Sequence, residues 1–220
     1  GSGGSDAPGG GAILLTLRGA LHNDGLIVAN GGPAACAGSG GSIWLTLAEI
    51  FGTGTIQANG GFYSVYAAGG GGRIAMVVTN AGSDFSLYTG SVSAWGGGAG
   101  AGAGTIYRQC SADRPGRGSV LINNNGFLSG ITEMPPATNY VPGEVDRVPF
   151  FVTNAAQLRI TNDFLLGDIW LQSTNAWLDI GSNTLTVRSK AHALGLGVVT
   201  NFGEIIWWPY IPKGTIYYAK

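Results

Sequence analysis

The sequence predicts an all-β protein: a parallel β-helix solenoid, right-handed, built of coils of about 30 residues, with little or no helix. Three observations lead there. A phrase recurs, "GAILLTLRGALHNDGLIVANGG" over residues 11–32 and "GSIWLTLAEIFGTGTIQANGG" over 41–61. Within each copy apolar residues alternate with period two, not 3.6. No stretch offers ten residues of helical spacing free of Gly and Pro.

The copies align residue by residue. Gly11, Ile13, Leu15 and Leu17 match Gly41, Ile43, Leu45 and Leu47, and Ile27 with Ala29-Asn30-Gly31-Gly32 matches Ile56 with Ala58-Asn59-Gly60-Gly61. A third copy reads "GRIAMVV" then "GSVSAWGGG", and a fourth "GTIYRQ" then "GSVLINNNG". The leading glycines stand at Gly11, Gly41, Gly72 and Gly104, spaced by 30, 31 and 32 residues. Alternation puts Ile43, Leu45, Leu47 and Ile56 on one face, with Trp44 and Thr46 on the other. Strands this short cannot bury that face alone, and stacking each unit on the next solves the problem. Parallel stacking sets counterparts about 4.8 Å apart, and the chirality of crossovers favours the right-handed form. Asn30, Asn59 and Asn123 then form a corner ladder, with Trp95 at or beside the third place.

Residues 1–125 are thus expected to hold four glycine-rich coils of one continuous domain. Residues 126–150, with four prolines, read as an insert or loop. Residues 151–220 resume the strands and end in an aromatic cap containing Trp207, Trp208, Tyr210, Tyr217 and Tyr218.

Composition excludes several functions. Gly makes up 40 of 220 residues without the collagen period. Hydrophobic residues at 45% exclude a disordered linker. Only 10% of residues are charged and the net charge is −1, so nucleic-acid binding has no electrostatic basis. No run of 18 residues is apolar enough for a membrane-spanning helix. The opening "GSGGSDAPGGG" reads as part of a longer, processed chain, and the polar, weakly charged composition points outside the cell.

The phrases "GGSIWLTL", "GTGTIQANGG", "GGGGRIAM" and "GAGAGTIYR" resemble the glycine-rich β-helical repeats of large secreted or surface-anchored bacterial proteins, adhesin-like and autotransporter-passenger-like. The resemblance covers residues 9–125 well and the rest loosely. It implies an extracellular structural or adhesive module and carries no catalytic motif. Self-association into a filament or surface layer, neighbouring domains of a longer chain, and polysaccharide are the partners to expect; no cofactor or metal is.

β-Helices also host polysaccharide lyases and hydrolases, whose chemistry needs carboxylates close together. Glu144 and Asp146 form one candidate group, beside Glu133 and Arg147; in the bland reading a wet loop simply collects charge. Asp163, Asp168 and Asp179, with Arg159, form a second if successive coils bring them together. His22 and His192 have no ligand partner at metal-binding spacing. The runs "AAGGGGR" and "GGGAGAGAG" precede strands, not a helix, so they read as corners or loops and not as phosphate cradles. Trp44, Tyr63, Tyr66 and Trp95 lie off the core stripe, where aromatics stack on sugars or pack on a neighbouring subunit. Cys36 and Cys110 fall two to three rungs apart, about 10–14 Å. A disulfide needs Cα atoms within about 7 Å, so none is expected.

Overall fold

The computed structural model describes residues 7–62, 67–128, 130–135, 145–200 and 203–208. It is all-β, and the one helical segment among these residues is a single 3-10 turn at Val145–Arg147. None of the described helices is long and apolar enough to cross a membrane.

The first half runs in circuits. β1 (Ala12–Thr16), β2 (Ala20–His22) and β3 (Leu26–Val28) are followed by β4 (Ser42–Leu47), β5 (Glu49–Phe51) and β6 (Thr55–Gln57). Each strand pairs in parallel with its counterpart one circuit on: β1 with β4, β2 with β5, β3 with β6. β7 (Arg73–Val78) and β8 (Ser91–Ser93) extend the first and third sheets, and β9 (Thr105–Gln109) extends the first again. The register matches the sequence alignment: Ile13, Ile43, Ile74 and Ile106 form one cross-strand column, and Leu15, Leu45, Met76 and Arg108 the next.

These columns build the first core. Leu45, Leu47, Ile50, Ile56 and Met76 are wholly buried, each contributing about 1.5–3 kcal/mol of transfer free energy. The second column closes with Arg108, whose guanidinium carbon lies 5.6 Å above the Phe85 ring. Burial holds its pKa below the usual arginine value.

Asparagine joins successive circuits at one corner. The Asn59 amide donates to Asn30 Oδ1 at 2.7 Å, and the Trp95 amide to Asn59 Oδ1 at 2.8 Å. The next place belongs to Asn124, not to Asn123. Asn124 is fully buried; its Oδ1 accepts from the Gly96 amide, and its Nδ2 donates to the carbonyls of Ala101 and Phe127. Asn123 instead accepts from the Asn125 amide and from Asn154 Nδ2.

The glycine runs lie outside the strands, at corners that stack on one another. Backbone hydrogen bonds link Gly32 to Pro8, Gly38 to Gly32, Gly61 to Gly38, Gly69 to Gly61 and Gly97 to Gly69, each amide donating to the carbonyl named second. A Cβ on Gly60 would stand 1.8 Å from the Gly69 carbonyl oxygen, and one on Gly97 1.8 Å from that of Gly61. Glycine is required there because main chain packs directly on main chain.

The fourth copy departs from the repeat. β10 (Ser119–Asn123) does not follow β3, β6 and β8 into the third sheet; it folds back on β9 in the first, as the one antiparallel pair among the described strands. Val120 faces Tyr107 and Leu121 faces Ile106. From there the chain runs in the opposite direction through β11 (Ile131–Glu133), β12 (Pro149–Thr153), β13 (Gln157–Arg159), β14 (Phe164–Leu166), β15 (Asp168–Leu171), β16 (Trp177–Asp179), β17 (Thr184–Val187), β18 (Leu194–Gly195), β19 (Val198–Thr200) and β20 (Glu204–Trp207). β10, β12, β15 and β18 continue the first sheet in parallel, completing eight strands. β11, β13, β16 and β19 form a second parallel series, and β14, β17 and β20 a third. Within residues 126–150, β11 and the start of β12 are regular strand, and positions 136–144 lie outside the described residues.

The reversal carries a change of face. Ile106 belongs to the first core, and its partner Leu121 packs there too; yet Leu121 is in register with Phe151 and Trp170, which lie outside the second core. On the opposite face Val120 sits beside Phe150 and Ile169, inside the second core, as do Ala103 and Ile122. The eight-stranded sheet therefore carries one core on each face, side by side, and β10 is the strand at which the core crosses over.

Candidate functional site

Because the second core begins on the outer face of the first, the two meet in a cleft of about 1270 Å³. One wall is the outer face of the eight-stranded sheet, where Leu14, Trp44, Ala75 and Tyr107 form a single cross-strand row. Trp44 remains 51% exposed, and its indole N–H donates to Thr46 Oγ1 at 3.0 Å, fixing the ring. Tyr107 donates its hydroxyl proton to Gln109 Oε1 and accepts from the Gly118 amide. Burial raises its pKa above the usual tyrosine value. Gly40, Gly41, Gly71 and Gly72 line the wall's edge without side chains, and Thr132, Glu133 and Met134 of the β11 region line the cleft as well. Arg73 and Glu133 are the two lining residues that carry a formal charge, and they balance.

A second polar site lies where the chain enters the eight-stranded sheet in the later circuits. Gly167 packs on Arg147 and Val148, and the Ser189 amide donates to the Gly167 carbonyl, so three passes of chain stack at one corner. Asp146 and Asp168 enter it from the first two passes, Arg188 and His192 from the third. Arg188 pairs with Asp146, and His192 Nδ1 lies 2.6 Å from Asp168 Oδ2. The other Asp168 oxygen accepts from the Ile169 amide. The imidazole stacks on Trp170 at 4.3 Å and 13°, with Phe151 edge-on at 6.0 Å. Among the described residues Asp146 Oδ1 and Arg188 Nε are buried without a hydrogen-bond partner, so charge attraction and a single bond join that pair. Arg188 also lies over the Trp208 ring, and Lys190 over Trp207, at 5.1 and 5.7 Å.

The remaining sequence candidates are dispersed. Asp163 Oδ1 accepts from the Thr184 amide, tying one circuit to the next. Asp179 pairs with Arg159 at 2.8 Å on the β13–β16 ladder, and Glu133 reaches the same guanidinium at 3.6 Å. These interactions hold the Arg159 pKa above its usual value. Asp163, Asp168 and Asp179 thus serve three different partners at different places. Trp95 is half-buried in the asparagine ladder. Trp207 packs against the second core and Trp208 is exposed. Tyr63, Tyr66, Glu144 and Tyr210 lie outside the described residues.

Tyr107 and Arg188 carry no signal of their own in the sequence, and His192 stands there only as a histidine without a metal-binding partner. "RSKAH" does place Arg188, Lys190 and His192 at alternate positions, a pattern that sets three nitrogen-bearing side chains on one side of an extended segment. His22 pairs with Asp24 and stacks on Phe51 near the surface. Both cysteine thiols are free; Cys36 is bridged to Ala67 in the next circuit, and Cys110 follows β9. Among the described residues no group of three His, Cys, Asp or Glu side chains could hold a metal ion.

No protein-family model, curated protein or solved structure matches this chain.

Proposed function

We propose that the chain is a structural and adhesive module of an extracellular or cell-surface protein, and that its circuits are the coils of a parallel β-helix. The observation that carries this reading is the in-register stacking of like on like through one eight-stranded sheet, reinforced by the glycine seam. Both features join successive coils by main-chain hydrogen bonds and make a stiff rod.

The double reversal fits the same reading. Turning the strands round while stacking continues in one direction would invert the hand of the helix. Moving the core to the other face of the sheet restores it, so both stacks wind alike, in the right-handed sense that crossovers favour.

The first coil supports end-to-end association. Among the described residues β1, β2 and β3 are each paired on one side only, and Ile13, Leu15, Leu17, Leu21 and Ile27 are only partly buried. A further β-rung, from a neighbouring domain or another copy, would cover them.

A lyase or hydrolase reading would rest on Asp146 and Asp168. Their bonds to Arg188, His192 and the Ile169 amide favour a corner clamp instead.

Pulling the chain by its ends in a force spectrometer tests the proposal. A stacked rod peels coil by coil, releasing about 30 residues and about 11 nm of contour per step from the first stack, and about 20 residues and about 7 nm from the second. One release of the whole chain, with no intermediate steps, would rule it out.

A further inference from the structure

We propose that the cleft between the two stacks binds an uncharged, extended polysaccharide strand, its sugar rings lying on Trp44 and Tyr107. This deepens the adhesive reading and rests on it.

Four observations point to that ligand class. The cleft, at about 1270 Å³, exceeds the 300–1,000 Å³ usual for small-molecule pockets, and it is open along the sheet, which suits a chain. Its charge is balanced between Arg73 and Glu133, which gives no attraction for a polyanion or nucleic acid. The wall is the face of a sheet, whose N–H and C=O groups are already spent in the ladder. A peptide strand could not add to it by main-chain pairing, so recognition falls to side chains. Those side chains include the aromatics Trp44 and Tyr107, hydroxyls and the Gln109 amide, alongside the aliphatic Leu14 and Ile131, which suit the apolar faces of sugar rings.

Spacing narrows the class further. Trp44 and Tyr107 are in register two strands apart, about 10 Å, with only the methyl of Ala75 between them. An aromatic, a gap and an aromatic make two steps on which alternate rings of an extended glycan rest, their apolar C–H faces against the π-surface. Both rings are fixed before any ligand arrives, Trp44 by Thr46 and Tyr107 by Gln109 and Gly118. That fixation lowers the ordering cost of binding. Gln109 Oε1 accepts from both Tyr107 and the Gly116 amide, which orients the amide and leaves its NH2 to donate to sugar hydroxyls.

Affinity electrophoresis of the full chain tests this, in gels containing hydroxyethylcellulose, mixed-linkage β-glucan or galactomannan, with polygalacturonate as the charged comparison. At least one neutral polymer should retard the chain, and 0.5 M NaCl should not abolish the effect. Trp44→Ala should weaken retardation at least tenfold. Ala75→Arg, which fills the gap between the rings and leaves both cores untouched, should do the same with an unchanged melting temperature. Migration unaffected by every neutral polymer, retardation by polygalacturonate alone, or wild-type retardation of both variants would each overturn the proposal. Stepwise peeling under force together with any of those results would leave a structural rod without this ligand, which separates the two failures.

Discussion

Tyr107 and Val120 face each other across the antiparallel β9–β10 pair, and the face they share is outside the first core at Tyr107 and inside the second at Val120. This single pairing turns the chain round, moves the core across the sheet and opens the cleft beside Trp44. The fold and the proposed binding wall therefore have one origin.

Asparagine 124 is the first test of that crossover. It is buried and makes three hydrogen bonds, so truncation strands donors and acceptors in the interior. Asn124→Ala should cost about 3 kcal/mol in denaturant unfolding. Asn123→Ala, at a half-buried position whose hydrogen bonds are open to solvent, should cost less than about 1 kcal/mol. The reverse order would place the ladder at Asn123.

The glycine seam makes a second contrast. Gly60→Ala pushes a methyl into the Gly69 carbonyl, and backbone has no rotamer to yield. A loss of about 3 kcal/mol or more is expected, the upper end of overpacking costs. Gly19→Ala meets nothing within 4 Å and should stay within about 0.5 kcal/mol of the parent. Equal effects at both positions would mean that main chain does not pack on main chain at Gly60.

Alkaline pH should loosen the first stack. Burial raises the pKa values of Tyr88 and Tyr107, and the Tyr88 hydroxyl donates to the Gly54 carbonyl. Their folded values lie above the unfolded value of about 10. The unfolded chain therefore gives up protons first as pH rises, and stability present below about pH 10 is lost as pH climbs through the folded values. Urea midpoints measured from about pH 8.5 to 11.5 should fall, and Tyr88→Phe with Tyr107→Phe should flatten part of that fall. A midpoint that does not move with pH in the parent would contradict the burial of both phenols.

Association through the open first coil should depend on concentration. Leu15→Glu puts a charge on the half-covered inner face of β1. Sedimentation velocity should show larger species for the parent at high concentration and their loss in the variant. A parent that stays monomeric throughout would remove the edge from the account.

Much of this architecture was legible. Ile43, Leu45, Leu47 and Ile56 announced their inward face by alternation, and Asn30 and Asn59 their corner by alignment, because both are local signals repeated at a fixed interval. The turn-back was not. "GSVLINNNG" copies the grammar of "GSVSAWGGG", and nothing within nine residues says which sheet will receive it. One clue lay in the run Val120-Leu121-Ile122, which breaks the polar alternation as a strand covered on both faces does. The Asp168–His192 pair was hidden for a different reason: its members lie on different passes of the chain, and only stacking brings them together.

The account stands most directly on the pairing of β9 with β10. In a background with Cys36→Ser and Cys110→Ser, Tyr107→Cys with Val120→Cys places two thiols on directly opposed residues. Their Cα atoms should be about 4.5–5.5 Å apart, within disulfide reach. A regular fourth coil would instead stack Val120 on Val92, its counterpart in the third copy. Mild oxidation should close the Tyr107→Cys/Val120→Cys bridge and leave the Val92→Cys/Val120→Cys pair reduced. A bridge in the second pair and none in the first would contradict the crossover.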